Sequence, residues 1–254
     1  MSPKRLEGKT AIVTGAGVGI GRSIALAFAE EGSNIVVVSR TPSDIEQVAK
    51  EASHFQRGSL AIRADVSLEE EVEEMVRRTL DAFGSIDILV NNAGVPGPTG
   101  FITEIREKDW DQTFDINLKG VFLCSKSVLP QMIKQRSGNI INISSGAGRR
   151  TKEASFTSPT RSLVYSVSKF GVEGFTLALA GQVSQHHINV NALRPGPTNT
   201  RFHAETSPEK RAKMRHPDDL KKVAVFLGSQ GPMGITGESI DAATWESIYL
   251  TRET

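Results

Sequence analysis

A single cysteine, Cys124, rules out an intrachain disulfide framework, and one thiol cannot supply the grouped sulfur or imidazole ligands of a zinc site. The five histidines, His54, His186, His187, His203 and His216, fall at no metal-ligand spacing, so no catalytic metal is expected. Charge of one sign is also lacking. Thirty basic against 29 acidic side chains leave +1, which gives neither nucleic acid nor an anionic membrane a reason to be the main partner. No apolar run approaches the roughly 20 residues that cross a bilayer, and the opening MSPKRLEGKT has no apolar core of the secretory kind. No internal repeat or low-complexity linker interrupts the 254 residues. These absences leave a soluble, cytoplasmic protein of one domain spanning 1–254 as the expectation.

What is present is a regular alternation. Short β-branched runs at 10–14, 34–39, 59–64, 86–90, 139–143 and 187–192 read as buried strands. Stretches with helical apolar spacing at 20–31, 68–83 and 119–135 lie between them. Alternation of this kind predicts an α/β fold, a Rossmann-type doubly wound parallel sheet with helices on both faces. Ser67, with Glu70 three residues on, is expected to cap the helix that starts near 68. Two polar segments, 146–163 and 199–217, look like surface insertions, a usual place for function. His216 to Asp219 reads as a helix start, and Trp110, Phe114 and Phe122 fall at helical spacing and are expected in the core.

The turn from Thr14 to Gly21 follows the first strand and opens an alanine-rich helix. Residues without Cβ let the backbone approach a pyrophosphate, and the helix N-terminus offers unpaired N–H groups and a favourable dipole. Gly15, Gly17, Gly19, Ile20 and Gly21 are therefore candidate dinucleotide contacts, although a plain tight turn would use the same glycines. At the end of the second strand, where NAD sites place a carboxylate on the ribose hydroxyls, stands Arg40. A guanidinium suits a 2′-phosphate, so NADP(H) is the expected cofactor, with NAD(H) as the alternative and a solvated arginine as the bland reading. No lysine or arginine lies inside the turn, where Val18 stands.

Further segments extend the pattern: Asp65-Val66, Asn91-Asn92-Ala93-Gly94, Asn117, Ile143-Ser144-Ser145, Tyr165-Ser166-Val167-Ser168-Lys169 and Arg194-Pro195-Gly196. Their joint order resembles the short-chain dehydrogenase/reductase family over nearly the whole chain, with a cofactor half at about 1–95 and a catalytic and substrate half at about 96–254. The chemistry follows from the residue types. A carbonyl that accepts hydride becomes an alkoxide and needs a proton, which a phenol of unperturbed pKa near ~10 donates readily. Lys169 lies one helical turn beyond Tyr165 on the same face, where its ammonium is expected to lower the phenol's pKa and to reach the nicotinamide ribose. Ser145, with Ser144 as its substitute, is expected to orient the carbonyl. The resemblance implies that Asn117 fixes a water linking Lys169 to solvent and that Asp65, beside Val66, contacts the adenine. It implies that Asn91, Ala93 and Gly94 line the adenosine side, and that Pro195, Gly196, Thr198 and Thr200 wall the nicotinamide.

The expected function is reversible interconversion of a small carbonyl compound and an alcohol. A reductase of 3-oxoacyl groups on a carrier protein and a non-catalytic dinucleotide-binding regulator are the alternatives. The resemblance also implies a homo-oligomer, tetramer or dimer. Three departures stand out. The serine-to-tyrosine spacing is long, with Arg149, Arg150, Lys152 and Arg161 in the added stretch as candidates to meet an anionic substrate. The segment after Thr200 is short, with Lys210, Arg211, Lys213 and Arg215 expected on an exposed helix, which implies a roomier site. Ile240-Asp241-Ala242-Ala243 replaces the family's Asp-Gly-Gly turn, so the last strand is expected to differ.

Overall fold

The computed structural model describes residues 4–148, 162–204 and 206–250. Seven parallel strands form one sheet: β1 (Thr10–Thr14), β2 (Asn34–Ser39), β3 (Ser59–Arg63), β4 (Ile88–Asn91), β5 (Gly138–Ile143), β6 (Ile188–Arg194) and β7 (Ser239–Asp241). Their spatial order is β3-β2-β1-β4-β5-β6-β7. The helices are α1 (Gly19–Glu30), α2 (Pro42–Ser53), α3 (Glu69–Phe83), α4 (Glu107–Phe114), α5 (Gly120–Gln135), α6 (Leu163–Val183), α7 (Pro208–Arg211), α8 (Lys221–Gly228) and α9 (Trp245–Tyr249). This is the expected single-domain doubly wound fold.

The sheet is buried on both faces, which is why its strands read as near-continuous apolar runs. Ala11, Val13, Ile35, Val37, Ile88, Val90 and Ile141 point to one side, against Ile24 and Phe28 of α1 and Val223 and Phe226 of α8. Ile12, Val36, Val38, Leu89 and Ile140 point to the other, against Val72 and Met75 of α3, Leu123 and Val128 of α5 and Leu179 of α6. Strand order reverses between neighbours β1 and β4, so the sheet opens a crevice at their carboxyl ends.

Several local expectations are corrected. Ser67 does not cap α3: Leu68 holds that position, while the Ser67 N–H and hydroxyl donate to Asp65 Oδ1 at 3.0 and 2.7 Å. Trp110 and Phe122 are not core residues; they are 37% and 45% exposed, and Trp110 stacks on Phe114 with ring centroids 4.5 Å apart. Among the described residues of the 199–217 segment, only Pro208–Arg211 forms an α-helix; Arg211 donates to Asn199 and Arg215 donates to the Ala242 carbonyl. His216 does start a helical turn, with Asp219 accepting from its N–H at 3.1 Å. At the C-terminal end Asp241 replaces a glycine turn with its own contacts, accepting from Ala243 N at 2.8 Å and pairing with Arg194 at 3.2 Å. The cations Arg149, Arg150, Lys152 and Arg161 lie outside the described residues.

Candidate active site

The crevice holds a cavity of about 730 Å3. Its floor is the glycine turn. Gly15 and Gly19 have φ of 62° and 59°, which side chains with Cβ rarely adopt. A Cβ on Gly17 would lie 2.8 Å from that of Asp44, and one on Gly21 would lie 2.5 Å from the Gly15 carbonyl oxygen. The turn is thus as close as backbone permits, with Asn92 tying it to β4 by donating to the Thr14 and Gly15 carbonyls at 2.9 and 3.0 Å. Val18 precedes α1 with no side-chain cap, and the first turn of α1 has no acidic residue. Its N–H groups are therefore left for an anion in the cavity. A diphosphate-bearing cofactor fits this cradle.

Gly15, Gly17, Gly19, Ile20, Arg40, Asp65, Val66, Ala93, Gly94, Ser144, Ser145, Tyr165, Lys169, Pro195, Gly196, Thr198 and Thr200 all line the cavity. Chain segments from six strand ends, β1 to β6, are brought together there. Gly21 and Asn91 do not line it. Gly21 packs α1 against the turn, and Asn91 is committed inside the sheet, donating to Asn142 Oδ1 at 2.9 Å and Ser125 Oγ at 3.2 Å. Asn117 also stands behind the wall, in a π-helical turn, Asp115–Lys119, that runs into α5. Its amide accepts from Val95 N at 2.8 Å and donates to Val95 O at 2.9 Å and to Ser168 Oγ at 3.1 Å. Both amide hydrogens are spent on protein, so the side chain braces the Gly94 to Val95 turn against α6 and is not free to donate to a water.

Helical periodicity delivers Tyr165 and Lys169 from α6 to the same cavity wall. The N-cap of α6 is Ser162, whose hydroxyl accepts from Tyr165 N at 3.1 Å and so fixes the turn that carries the phenol. Tyr165 and Ser145 line the same cavity. Burial pushes the phenol above its ordinary pKa, and the nearby Ser145 hydroxyl offsets only part of that rise. The expected lowering is therefore corrected: the phenol is held as an acid. Lys169 is buried, donates to the Ile143 carbonyl at 2.7 Å and lies 5.7 Å from the Tyr165 ring centroid. Desolvation pulls its ammonium down to about 8, against a smaller upward pull from Glu173. Ser144 is buried with no partner for its hydroxyl.

At the β2 end of the cavity Arg40 Nη1 stands 3.6 Å from Asp65 Oδ2. Burial raises the Asp65 carboxyl, but the Ser67 bonds and the Arg40 charge outweigh it and hold the group below its usual range. Arg40 is therefore not an unshared cation. Thr198 is buried and bonds the Gly196 carbonyl at 3.1 Å; Thr200 caps the 3-10 turn Arg201–His203. Sequence reasoning missed Asp44, Pro96, Thr99, Arg201, Phe202 and His203, which also line the cavity. The Phe202 ring tilts against Tyr165 at 5.4 Å between centroids. No local pattern marks these residues, because each reaches the site from a loop or helix start.

The family model described as short chain dehydrogenase matches residues 9–211. The chain is 38% identical over 242 residues to 3-oxoacyl-(acyl-carrier-protein) reductase of Staphylococcus epidermidis, covering 91% of this chain and 96% of that protein. Among solved structures, a short chain dehydrogenase from Shigella flexneri complexed with NADP has a TM-score of 0.85 at 25% identity, covering 95% of this chain and all of that one. An NAD+-bound xylitol dehydrogenase has a TM-score of 0.83 at 27% identity, covering 94% and 98%.

Proposed function

Because this chain belongs to the short-chain dehydrogenase/reductase family, we propose that it interconverts a ketone and a secondary alcohol with Tyr165 as the acid and base and NADP(H) as its preferred partner. As a member it is an NAD(P)-dependent oxidoreductase. The observation that carries the mechanism is the convergence of Ser145, Tyr165 and buried Lys169 on one wall of the glycine-floored cavity.

The bound dinucleotide supplies the hydride to the carbonyl carbon. Tyr165 and Ser145 hold the carbonyl oxygen between them, so their hydroxyls are already aimed where charge develops. As the C=O π bond opens, the Tyr165 O–H proton passes to the oxygen, leaving a phenolate beside Lys169. Burial keeps the phenol protonated, the state from which it can donate. Lys169, with a pKa near 8, can hold a proton next to that phenolate at neutral pH. In oxidation the same groups run in reverse. Gly15, Gly17, Gly19, Ile20 and the N-terminus of α1 would hold the phosphates. Arg40 would meet a 2′-phosphate, with Asp65 and Val66 by the adenine, and Ala93, Gly94, Pro195, Gly196, Thr198 and Thr200 along the remaining walls. Lys169 would reach the nicotinamide ribose.

Replacing Tyr165 by Phe keeps the ring and removes the proton. Ketone reduction should fall about 10²–10⁴-fold while the NADPH dissociation constant changes less than about twofold. Retained turnover would overturn the assignment.

The resemblance to a 3-oxoacyl carrier-protein reductase favours a second reading with equal chemistry, in which the ketone is borne on a carrier-linked thioester. Better turnover of a carrier-linked 3-oxoacyl group than of the free ketone, lost on charge reversal at Arg149 and Arg150, would select it. Exposed Phe122 on α5 and Val167, Phe170 and Leu177 on α6 support self-association, which light scattering would measure. No helix among the described residues is long and apolar enough to cross a membrane, and the one free cysteine, buried Cys124, suits the reducing cytoplasm.

A further inference from the structure

Four charged side chains surround the β2 end of the cavity, and they form two ion pairs. The first is Arg40 with Asp65. The second joins distant parts of the chain: Arg201 Nη1 stands 3.1 Å from Asp44 Oδ2, across 157 residues of sequence. Asp44 sits in the first turn of α2, and Arg201 opens the turn capped by Thr200. Asp44, and Thr200 next to Arg201 in the chain, both abut the glycine turn. A Cβ on Gly17 would touch Asp44 at 2.8 Å, and one on Gly19 would touch Thr200 at 3.0 Å. The pair therefore links the two walls that flank the glycine turn.

The charges decide what this linkage does. Arg40 and Arg201 balance Asp44 and Asp65, so the four sum to zero. Without Arg201 the same end carries one net negative charge, because Arg40 is already shared with Asp65. An additional phosphate on the ribose would then approach an unpaired carboxylate at Asp44. NADH, which has no such phosphate, would feel this much less. Arg201 is 74% exposed at its side chain, so the pair adds little to folding stability, and its effect should fall with added salt.

We propose that Arg201 is a second determinant of cofactor selection, acting as a positioning residue that cancels the Asp44 carboxylate beside the glycine turn so that a 2′-phosphate can enter. This rests on the NADP(H) preference proposed above. It places a selectivity element on the chain segment after β6, in addition to Arg40 on the segment after β2.

The test is fluorescence titration of NADPH and NADH against wild type, Arg201→Gln, Asp44→Asn and the double variant at low ionic strength. Arg201→Gln should weaken NADPH about tenfold and NADH less than about threefold, and raising the salt should shrink the difference. In the Asp44→Asn background the same change should cost NADPH less than about twofold, since there is no carboxylate left to cancel. Equal weakening of both cofactors would overturn the proposal and make Arg201 a general clamp; so would no change in either. The wild-type ratio of the two affinities tests the parent reading separately. Should wild type favour NADH, that reading fails, while a further fall of the NADPH to NADH ratio in Arg201→Gln would still uphold the role of Arg201.

Discussion

Lys169 Nζ lies 5.7 Å from the centroid of the Tyr165 ring and donates to the Ile143 carbonyl at 2.7 Å, so the cation is anchored to β5 while facing the phenol. One buried contact thus fixes both the position of the charge and its cost.

That cost has a pH signature. The folded-state pKa of Lys169 is depressed to about 8 from an ordinary 10.5, so between these values the unfolded chain binds more protons than the folded one. Stability from this group therefore rises with pH across about 8 to 10.5, and below 8 the full penalty, about 3 kcal/mol, is present. Lys169→Met removes the penalty. Denaturant melts should show the variant more stable than wild type at pH 7, with the gap closing as pH approaches 10. A gap independent of pH would mean that the ammonium is not desolvated.

Asp65 shares Arg40 with whatever enters the β2 end of the cavity. Arg40→Glu should weaken NADPH by more than about tenfold and spare NADH, as for a lost charge-assisted contact. Asp65→Asn should act the other way, freeing the guanidinium and tightening NADPH a few-fold. Isothermal titration of the two variants with both cofactors measures it, and NADPH binding unmoved by Arg40→Glu would remove Arg40 from the site.

Gly21 sets two effects against each other. Alanine in a helix gains up to ~1 kcal/mol over glycine. Here its Cβ would stand 2.5 Å from the Gly15 carbonyl oxygen and from Asn92 Nδ2, with backbone on one side that cannot swing away. Overlap of this kind costs about 1–3 kcal/mol, so Gly21→Ala should lower the thermal midpoint and also shift the glycine turn, weakening both cofactors alike. A higher midpoint would show that the turn can relax.

Phe202 leans on Tyr165 and lines the cavity beside it. Phe202→Ala should raise KM for apolar ketones several-fold, roughly the loss of part of one aromatic side chain's buried area, with the NADPH dissociation constant within about twofold of wild type. Steady-state kinetics across ketones of increasing size reads this directly. Unchanged KM throughout the series would place the substrate elsewhere in the cavity.

The strands were legible because a sheet covered on both faces needs apolar side chains at successive positions, as in Ile35 to Val38, and that pattern is local. Trp110 and Phe122 misled for the converse reason: helical spacing records that one face is apolar, and says nothing of what covers it. Asn91 and Asn92 are neighbours of one type, yet Asn91 is spent on Asn142 within the sheet while Asn92 holds the glycine turn. Only alternation across β4 separates the two.

The sequence by itself determined the doubly wound sheet, the glycine cradle at the start of α1, and the arrival of Tyr165 and Lys169 on one helix face, since each depends on residues a few positions apart. Tertiary structure decided which way the Tyr165 phenol shifts, that Asn117's amide braces Val95, and that Arg40 and Arg201 face Asp65 and Asp44. Those outcomes depend on distance through space and on exclusion of water. Neither quantity is written in the spacing of residues along a chain.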